Sequence, residues 1–232
     1  MNTIGFIGAY DKIDFMLYVA KIMTMTGKKV IVIDTTVNQK ARYIVPVINP
    51  TKSYVTEFEK IDVAVGFESY EDIKKYLGIP EQNNFEYDMA LVDIDSPENF
   101  QKFNIKECEN KYFVTSFDLY SLKKGLEIIT QIQEPVNLTK ILFSKQILKE
   151  ENEYLDFLSL DTKIEWNESI IYFPLDTGDQ NVIIENQRTA KIKMRKLSQL
   201  YKESLVYLVE EILKNEPREN IKKAFKNIEK EV

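Results

Sequence analysis

Short, almost wholly apolar runs alternate along this 232-residue chain with longer stretches of helical period. The runs VIVID at 30–34 and MALVD at 89–93 have no polar face. Such runs are typical of strands that are buried on both sides in a parallel sheet covered by helices. They predict strands at Thr3–Ile7, Val30–Asp34, Met89–Asp93, Tyr112–Ser116, Thr139–Phe143 and Ile170–Phe173. Apolar residues spaced by three and four predict helices at Lys12–Met25, Tyr70–Leu77, Leu119–Ile132, Glu150–Leu158, Leu197–Leu213 and Glu219–Val232.

Strand–helix alternation of this kind predicts an α/β fold with a doubly wound, mostly parallel sheet flanked by helices. The stretch 54–67, YVTEFEKIDVAVGF, has a more strand-like pattern and predicts an extra edge hairpin. No internal repeat, low-complexity segment or linker divides the sequence. We therefore expect one domain over 1–232, in which 218–232 forms a polar, amphipathic C-terminal helix.

Composition excludes several classes of function. The chain has no histidine and one cysteine, Cys108, which excludes a histidine-based catalytic triad and nearly excludes a zinc site. A net charge of −6 argues against nucleic-acid binding by overall charge, although not against a local basic patch. With no signal peptide and no apolar run near the ~18–20 residues of a membrane span, we expect a cytoplasmic protein. A peripheral position at the membrane is the alternative.

Polar residues follow several of the predicted strands. In an open parallel sheet, ligands bind at the carboxyl ends of the strands. Four features meet that condition: the loop Gly8–Lys12, Asp34, Asp93 with Asp95, and the segment 174–176. A strand, a glycine-containing turn with one lysine and a helix are the layout of a phosphate-binding loop.

Five stretches resemble, in order and at plausible spacing, the MinD/ParA superfamily of deviant Walker-A ATPases, and within it the CpaE/TadZ-like proteins of pilus assembly. They are GKKVIVIDTT at 27–36, YDMALVDIDSP at 87–97, VTSFDLYSLKKG at 114–125, IYFPLDTGDQNVIIENQR at 171–188 and KLSQLYKESLVYLVEEIL at 196–213. The resemblance implies a P-loop NTPase fold, ATP or ADP and Mg²⁺ as ligands, and a homodimer that recruits a protein partner.

The loop itself departs from the family's pattern, G-K-G-G-x-G-K-T/S. Aligning the last lysine with Lys12 leaves only Gly8 as a glycine in register. Ile7 replaces the signature lysine, Asp11 replaces a glycine, and Ile13 replaces the hydroxyl that ligates Mg²⁺. A carboxylate 4 Å from a phosphate oxygen costs about 4 kcal/mol at an effective dielectric near 20. The loop is therefore predicted to be degenerate and to lack groups needed for efficient hydrolysis.

The resemblance also assigns roles to residues. It places the phosphates at Gly8, Ala9, Tyr10, Asp11, Lys12, Ile13 and Asp14, and the adenine near Ser144, Pro174 and Asp176. Asp34 takes the place of the residue that activates water, and Asp93 that of the residue that holds Mg²⁺ through water. Each role has a structural alternative. Lys12 could be a solvated lysine in the first helical turn, Asp34 the cap of a turn, and Asp93 an ordinary aspartate at a strand end.

The favoured interpretation is a degenerate positioning or assembly factor for pilus, secretion, conjugation or partition machinery, which binds nucleotide without efficient turnover. One alternative is a working Mg²⁺-dependent ATPase whose metal site is rebuilt from Asp14 and Asp93. Another is a ligand-free pseudo-ATPase scaffold in which Tyr10 and Asp11 fill the pocket. The basic stretch 188–196 and the helix 219–232 could contact DNA or an acidic membrane surface. A solvated strip and a docked helix are the favoured interpretations of these two segments.

Overall fold

The computed structural model describes residues 1–48, 51–80, 82–146 and 149–231. The strands in these ranges are β1 (Asn2–Ile7), β2 (Val30–Asp34), β3 (Tyr54–Phe58), β4 (Ile61–Val65), β5 (Met89–Ile94), β6 (Asn110–Ser116), β7 (Val136–Ser144) and β8 (Ile164–Pro174). The α-helices are α1 (Ile13–Met25), α2 (Ala41–Ile44), α3 (Tyr70–Tyr76), α4 (Pro97–Lys102), α5 (Leu119–Thr130), α6 (Lys149–Leu158), α7 (Thr177–Thr189), α8 (Gln199–Ile212) and α9 (Arg218–Ile228).

The strands of the described residues form one sheet in the order β3-β4-β2-β5-β1-β6-β7-β8. Every neighbouring pair is parallel except β3 and β4, which are antiparallel at one edge. The predicted α/β architecture and the predicted edge hairpin are both confirmed. The hairpin turns at Glu59 and Lys60, which both have positive φ, and two-residue turns of that handedness match the twist of the strands they join.

Helices cover both faces of the sheet, as the apolar runs predict. In β2, Val30 and Val32 point into one core cluster, whereas Ile31 and Ile33 point into the other. Helix α1 packs on β2, and α8 packs on α1 and β8, on the first side; α4, α5 and α6 cover the second. The polar residues that follow these buried strands therefore lie at the carboxyl ends of the strands, outside the two apolar cores.

The C-terminal helix docks on the rest of the chain. Helix α9 buries Ile221, Ala224, Phe225 and Ile228 and packs against α1 and α8. This agrees with the favoured interpretation of a docked helix. The helix ends at Ile228, however, whereas the sequence pattern predicts that it continues to the end of the chain. None of the described helices is both long and apolar enough to cross a bilayer.

Two strands are longer than their apolar patterns predict. Strand β7 begins at Val136 rather than Thr139, and β8 begins at Ile164 rather than Ile170. The first half of β8, IEWNES, carries polar residues because it lies at an edge of the sheet and is largely exposed. The apolar criterion recognises only the better buried half of such a strand.

The register of the three central strands brings the candidate site together. Strand β5 lies between β2 and β1, and Asp93 is paired in register with Asp34 on one side and with Phe6 on the other. The loop after β1 therefore starts beside both aspartates. Ser144 and Pro174 are paired with each other at the ends of β7 and β8, farther along the same edge.

Candidate functional site

The loop after β1 turns at Gly8, which lies against the backbone of β6. Gly8 has φ +139°, and its amide donates a hydrogen bond to Ile94 O at 3.0 Å. A Cβ atom built on Gly8 would lie 2.3 Å from Val114 O. Glycine is required here by the packing of the loop between β5 and β6, whether or not a phosphate binds.

The side chain of Lys12 is directed into the protein and is only 2% exposed. Its Nζ donates hydrogen bonds to Gly8 O at 2.5 Å and Tyr10 O at 3.0 Å, and lies 2.9 Å from Asp93 Oδ1. Lys12 is thus not a solvated lysine. It is paired with Asp93, and its hydrogen bonds to Gly8 and Tyr10 close the loop.

Asp93 is almost fully buried, at 3% exposure. Burial, with a smaller contribution from the nearby Asp34, raises its pKa to about 7 against the effect of Lys12. Asp95, two residues on, also has a raised pKa because it is partly buried. The Oδ1 atoms of Asp93 and Asp95 are both buried and accept no hydrogen bond from the described residues, so the ion pair with Lys12 alone holds this oxygen of Asp93.

Both carboxylate oxygens of Asp34 are occupied by the loop that follows it. Oδ1 accepts hydrogen bonds from the amide of Thr36 at 3.0 Å and from its hydroxyl at 2.6 Å. Oδ2 accepts a hydrogen bond from the amide of Ala41, the first residue of α2, at 2.9 Å. This geometry is that of an aspartate that ends a strand and organises the next turn.

Lys40 joins two acidic residues across the mouth of the site. Its Nζ binds Asp11 and lies 2.6 Å from Asp14 Oδ2. Burial lowers the pKa of Lys40, but Asp14 and Asp11 outweigh it and raise the pKa above its ordinary value. Gln187 of α7 donates to both oxygens of Asp14, at 2.8 and 3.0 Å. Asp14 is therefore held from two sides by the protein's own groups.

The residues assigned to the adenine lie together, at a distance from Lys12 along the sheet edge. Ser144 donates to Gln146 O and lies 3.1 Å from a carboxylate oxygen of Glu151. Asp176 caps α7 by accepting a hydrogen bond from Gly178 N at 2.7 Å. Tyr10 approaches this region from the loop, because its ring stacks on Phe143 with a centroid distance of 4.6 Å.

A cleft of about 420 Å³ separates the loop from the segment after β2. Three carboxylates, Asp11, Asp93 and Asp95, line it against two lysines, Lys12 and Lys40. Both lysines are already paired with carboxylates. A triphosphate entering the cleft would meet negative charge without a free cation to offset it.

The described residues do not fit a catalytic magnesium–nucleotide complex. Ile13, which the sequence resemblance aligns with a hydroxyl ligand of Mg²⁺, is buried. No group of three or more carboxylates or thiols in the described ranges is arranged to hold a metal ion. Asp14 cannot supplement Asp93 while Lys40 and Gln187 occupy its oxygens.

The structure brings together the predicted loop, Asp34 and Asp93, but sequence reasoning did not identify Lys40 and Gln187 as part of the same cluster. Lys40 lies in a polar loop, and its contacts with Asp11 and Asp14 join positions 29 and 26 residues apart. Gln187 is 173 residues from Asp14. No local pattern marks such pairs.

No protein-family model matches the sequence, and no curated protein is detectably similar to it. Solved structures do share its fold. A ParA family ATPase from Chlorobium tepidum TLS is 14% identical with a TM-score of 0.57, covering 89% of this chain and 96% of the other. The MinC:MinD cell division complex of Aquifex aeolicus gives 14% identity, a TM-score of 0.50 and coverages of 100% and 97%. A plasmid partition protein from Borrelia burgdorferi is 13% identical with a TM-score of 0.50, covering 93% of this chain and 100% of the other.

These similarities define the fold as that of the ParA and MinD ATPases. The eight-stranded sheet of the described residues, parallel apart from one edge strand, agrees with it. At 13–14% identity, the likeness concerns the fold and leaves the chemistry of the site to be argued from this chain's own residues.

Proposed function

We propose that this protein is a MinD/ParA-type positioning or assembly factor that works without efficient ATP hydrolysis. It would belong with the CpaE-like proteins and recruit a protein component of a pilus, secretion, conjugation or partition machinery. The fold supports the class, because its structural neighbours include a partition protein and a MinC:MinD complex. The degenerate loop supports the loss of turnover.

One observation carries the proposal. Each cation lining the cleft is already paired with a carboxylate of the same chain: Lys12 with Asp93, and Lys40 with Asp11 and Asp14. Phosphoryl transfer needs free positive charge on the phosphates, a placed metal ion and a positioned water together. A lysine that is held by a buried aspartate and two carbonyl groups supplies the first only after those contacts break.

A second candidate function, a working ATPase, is favoured by the buried Oδ1 atom of Asp95, which accepts no hydrogen bond from the described residues. Carboxylate oxygens are suitable Mg²⁺ ligands. Against it stand the apolar Ile13 and the occupied oxygens of Asp34 and Asp14.

We expect a fluorescent ATP analogue to bind the wild-type protein with a dissociation constant on the order of 1 mM or weaker, with or without Mg²⁺. Asp11→Asn should tighten binding about tenfold, because it removes a carboxylate from the cleft. Asp161→Asn, which makes the same charge change at an exposed turn, should leave the dissociation constant unchanged. Equilibrium fluorescence titration measures all three.

Phosphate release distinguishes the two candidates. The proposal predicts that release by the wild-type protein with ATP and Mg²⁺ stays at the background of Lys12→Ala. Rapid Mg²⁺-dependent release that Asp34→Asn abolishes would establish the ATPase and reject the proposal. Circular dichroism of each variant verifies that it remains folded.

We also propose that the protein forms a homodimer through the face that carries the cleft. Large apolar side chains are exposed at this edge: Val37 and Tyr43 after β2, and Leu119 and Tyr120 after β6. Exposed apolar groups in one region commonly mark an interaction surface, and Tyr43 also lines the cleft.

Light scattering tests the dimer. The wild-type mass should be about twice 27.2 kDa. Tyr43→Ser combined with Tyr120→Ser should reduce it to that of a monomer, while Ile184→Ser with Leu200→Ser, two comparably exposed positions elsewhere, should not. A wild-type protein that is monomeric at micromolar concentration would reject this interface.

Contact with DNA or a membrane surface is not favoured. In the basic stretch 188–196, Ile192 and Met194 are buried, and two of the exposed lysines are near carboxylates: Lys191 with Glu59 and Lys196 with Glu185. The apolar face of α9 is covered by α1 and α8. These contacts support solvated basic residues in 188–196 and a C-terminal helix that is docked on its own domain.

A further inference from the structure

Helix α6 carries large apolar side chains on the face directed away from the sheet. Tyr154, Phe157 and, just beyond the helix, Leu160 have exposed fractions of 44%, 66% and 74%. They are spaced by three residues and so lie along one side of the helix. Leu155 is the residue of α6 that is fully buried. The helix therefore leaves large apolar side chains exposed to solvent on this face.

The orientation of α6 is fixed by contacts on its inner face. Lys140 of β7, whose side chain is 3% exposed, donates to Asn152 Oδ1 at 2.7 Å and is paired with Asp156. Trp166 of β8 donates from Nε1 to Ser159 Oγ at 2.8 Å. With this face anchored to the sheet, Phe157 and its neighbours cannot turn inward without breaking these partly buried polar contacts.

The helix lies beside an open edge of the sheet. Strand β8 is the last strand in the order, and no described strand pairs with its outer side. On the α6 side of the sheet, Trp166, Ile170 and Tyr172 are only partly buried. An exposed edge strand is normally blunted by charges or covered by another element. Here two charged residues, Glu165 and Glu168, are exposed on β8.

The surroundings of this apolar surface are acidic. Positions 149–168 hold seven carboxylates and two lysines. One carboxylate is paired with Lys149 and one with Lys140. The local excess of negative charge disfavours nucleic acid and anionic lipid as occupants, and it favours a cationic one.

We propose that the α6–β8 surface, formed by the outer face of α6 and the open edge of β8, docks a basic amphipathic helix of a partner protein. The apolar face of that helix would cover Phe157, Leu160 and the partly buried side chains of β8. Its lysines or arginines would lie opposite Glu150 of α6 and Glu168 of β8, which are both exposed. Helix-in-groove recognition uses this combination of apolar anchors and complementary charge. The surface uses none of the residues that line the cleft, so its test does not depend on nucleotide binding.

A fluorescein-labelled helical peptide of about 18 lysine and leucine residues is the probe, and its counterpart with glutamate in place of lysine is the control peptide. The wild-type protein should bind the lysine peptide and not the glutamate peptide in fluorescence anisotropy. Phe157→Ser with Leu160→Ser should weaken binding about tenfold or more, as should Glu150→Lys with Glu168→Lys. Ile184→Ser with Leu200→Ser, at exposed positions elsewhere, should leave it within about twofold.

Hydrogen exchange locates the bound peptide. Slowed exchange at 149–170 would support the proposal, and slowed exchange confined to other segments would overturn it. Equal affinity of the patch variants and the control variant would also overturn it. So would a wild-type dimer that Phe157→Ser with Leu160→Ser converts to monomer, because the surface would then be occupied by a second copy of this chain.

Discussion

Substitution of Gly8 by alanine should lower the free energy of unfolding by about 3 kcal/mol or more. The residue has φ +139°, a region that other residues rarely adopt, and the new methyl group would lie 2.3 Å from Val114 O. That oxygen belongs to β6, whose backbone is fixed between β1 and β7. Neither the loop nor the strand can shift without loss of sheet hydrogen bonds, so the strain and the steric contact add.

Gly27→Ala is the matched control. Gly27 also has a positive φ, +90°, but nothing lies within 4 Å of the position its Cβ would take. Its free energy of unfolding should fall only by the cost of placing alanine at a positive φ, about 1–2 kcal/mol. Urea unfolding followed by circular dichroism measures both variants. If Gly8→Ala lost no more than Gly27→Ala, the loop would not be packed against β6 as described.

The fold was predictable because its signals are local. Runs such as 30–34 are apolar on both faces, and their burial in two separate core clusters is the physical counterpart of that pattern. The early part of β8 escaped prediction because an edge strand does not need two apolar faces. Short helices such as α4, which starts at Pro97 behind the Ser96 cap, carry too few residues to show a period.

The positions of the site residues were predictable, but their partners were not. Topology alone places Asp34 and Asp93 side by side, because parallel strands bring their carboxyl ends to one edge. Whether such an aspartate faces a ligand depends on contacts from remote segments. Thr36 and Ala41 donate hydrogen bonds to the carboxylate oxygens of Asp34. Lys40, in the loop after β2, contacts Asp11 and Asp14. Whether these carboxylates are free to bind a ligand therefore depends on tertiary contacts, which no local sequence pattern shows.

Replacement of Lys12 by methionine should lower the free energy of unfolding by about 3–5 kcal/mol at pH 8. Methionine fills a similar volume but leaves the buried carboxylate of Asp93, at 3% exposure, without its counter-ion. It also leaves Gly8 O and Tyr10 O without the ammonium donor. The double variant Lys12→Met with Asp93→Leu should recover at least about half of the loss, because no unpaired charge remains in the core.

The pH dependence of that loss tests whether Asp93 causes it. The pKa of Asp93 in the folded protein is already raised to about 7 by burial, and removal of Lys12 should raise it further. A carboxyl whose pKa is higher in the folded than in the unfolded state favours folding at low pH, and this contribution is lost as pH rises through the folded pKa. The deficit of Lys12→Met relative to wild type should therefore be smaller at pH 5, where Asp93 is protonated in both proteins, and grow between pH 7 and 9. Urea unfolding across this range provides the measurement, and a deficit that does not change with pH would show that the lysine acts through its carbonyl contacts rather than through Asp93.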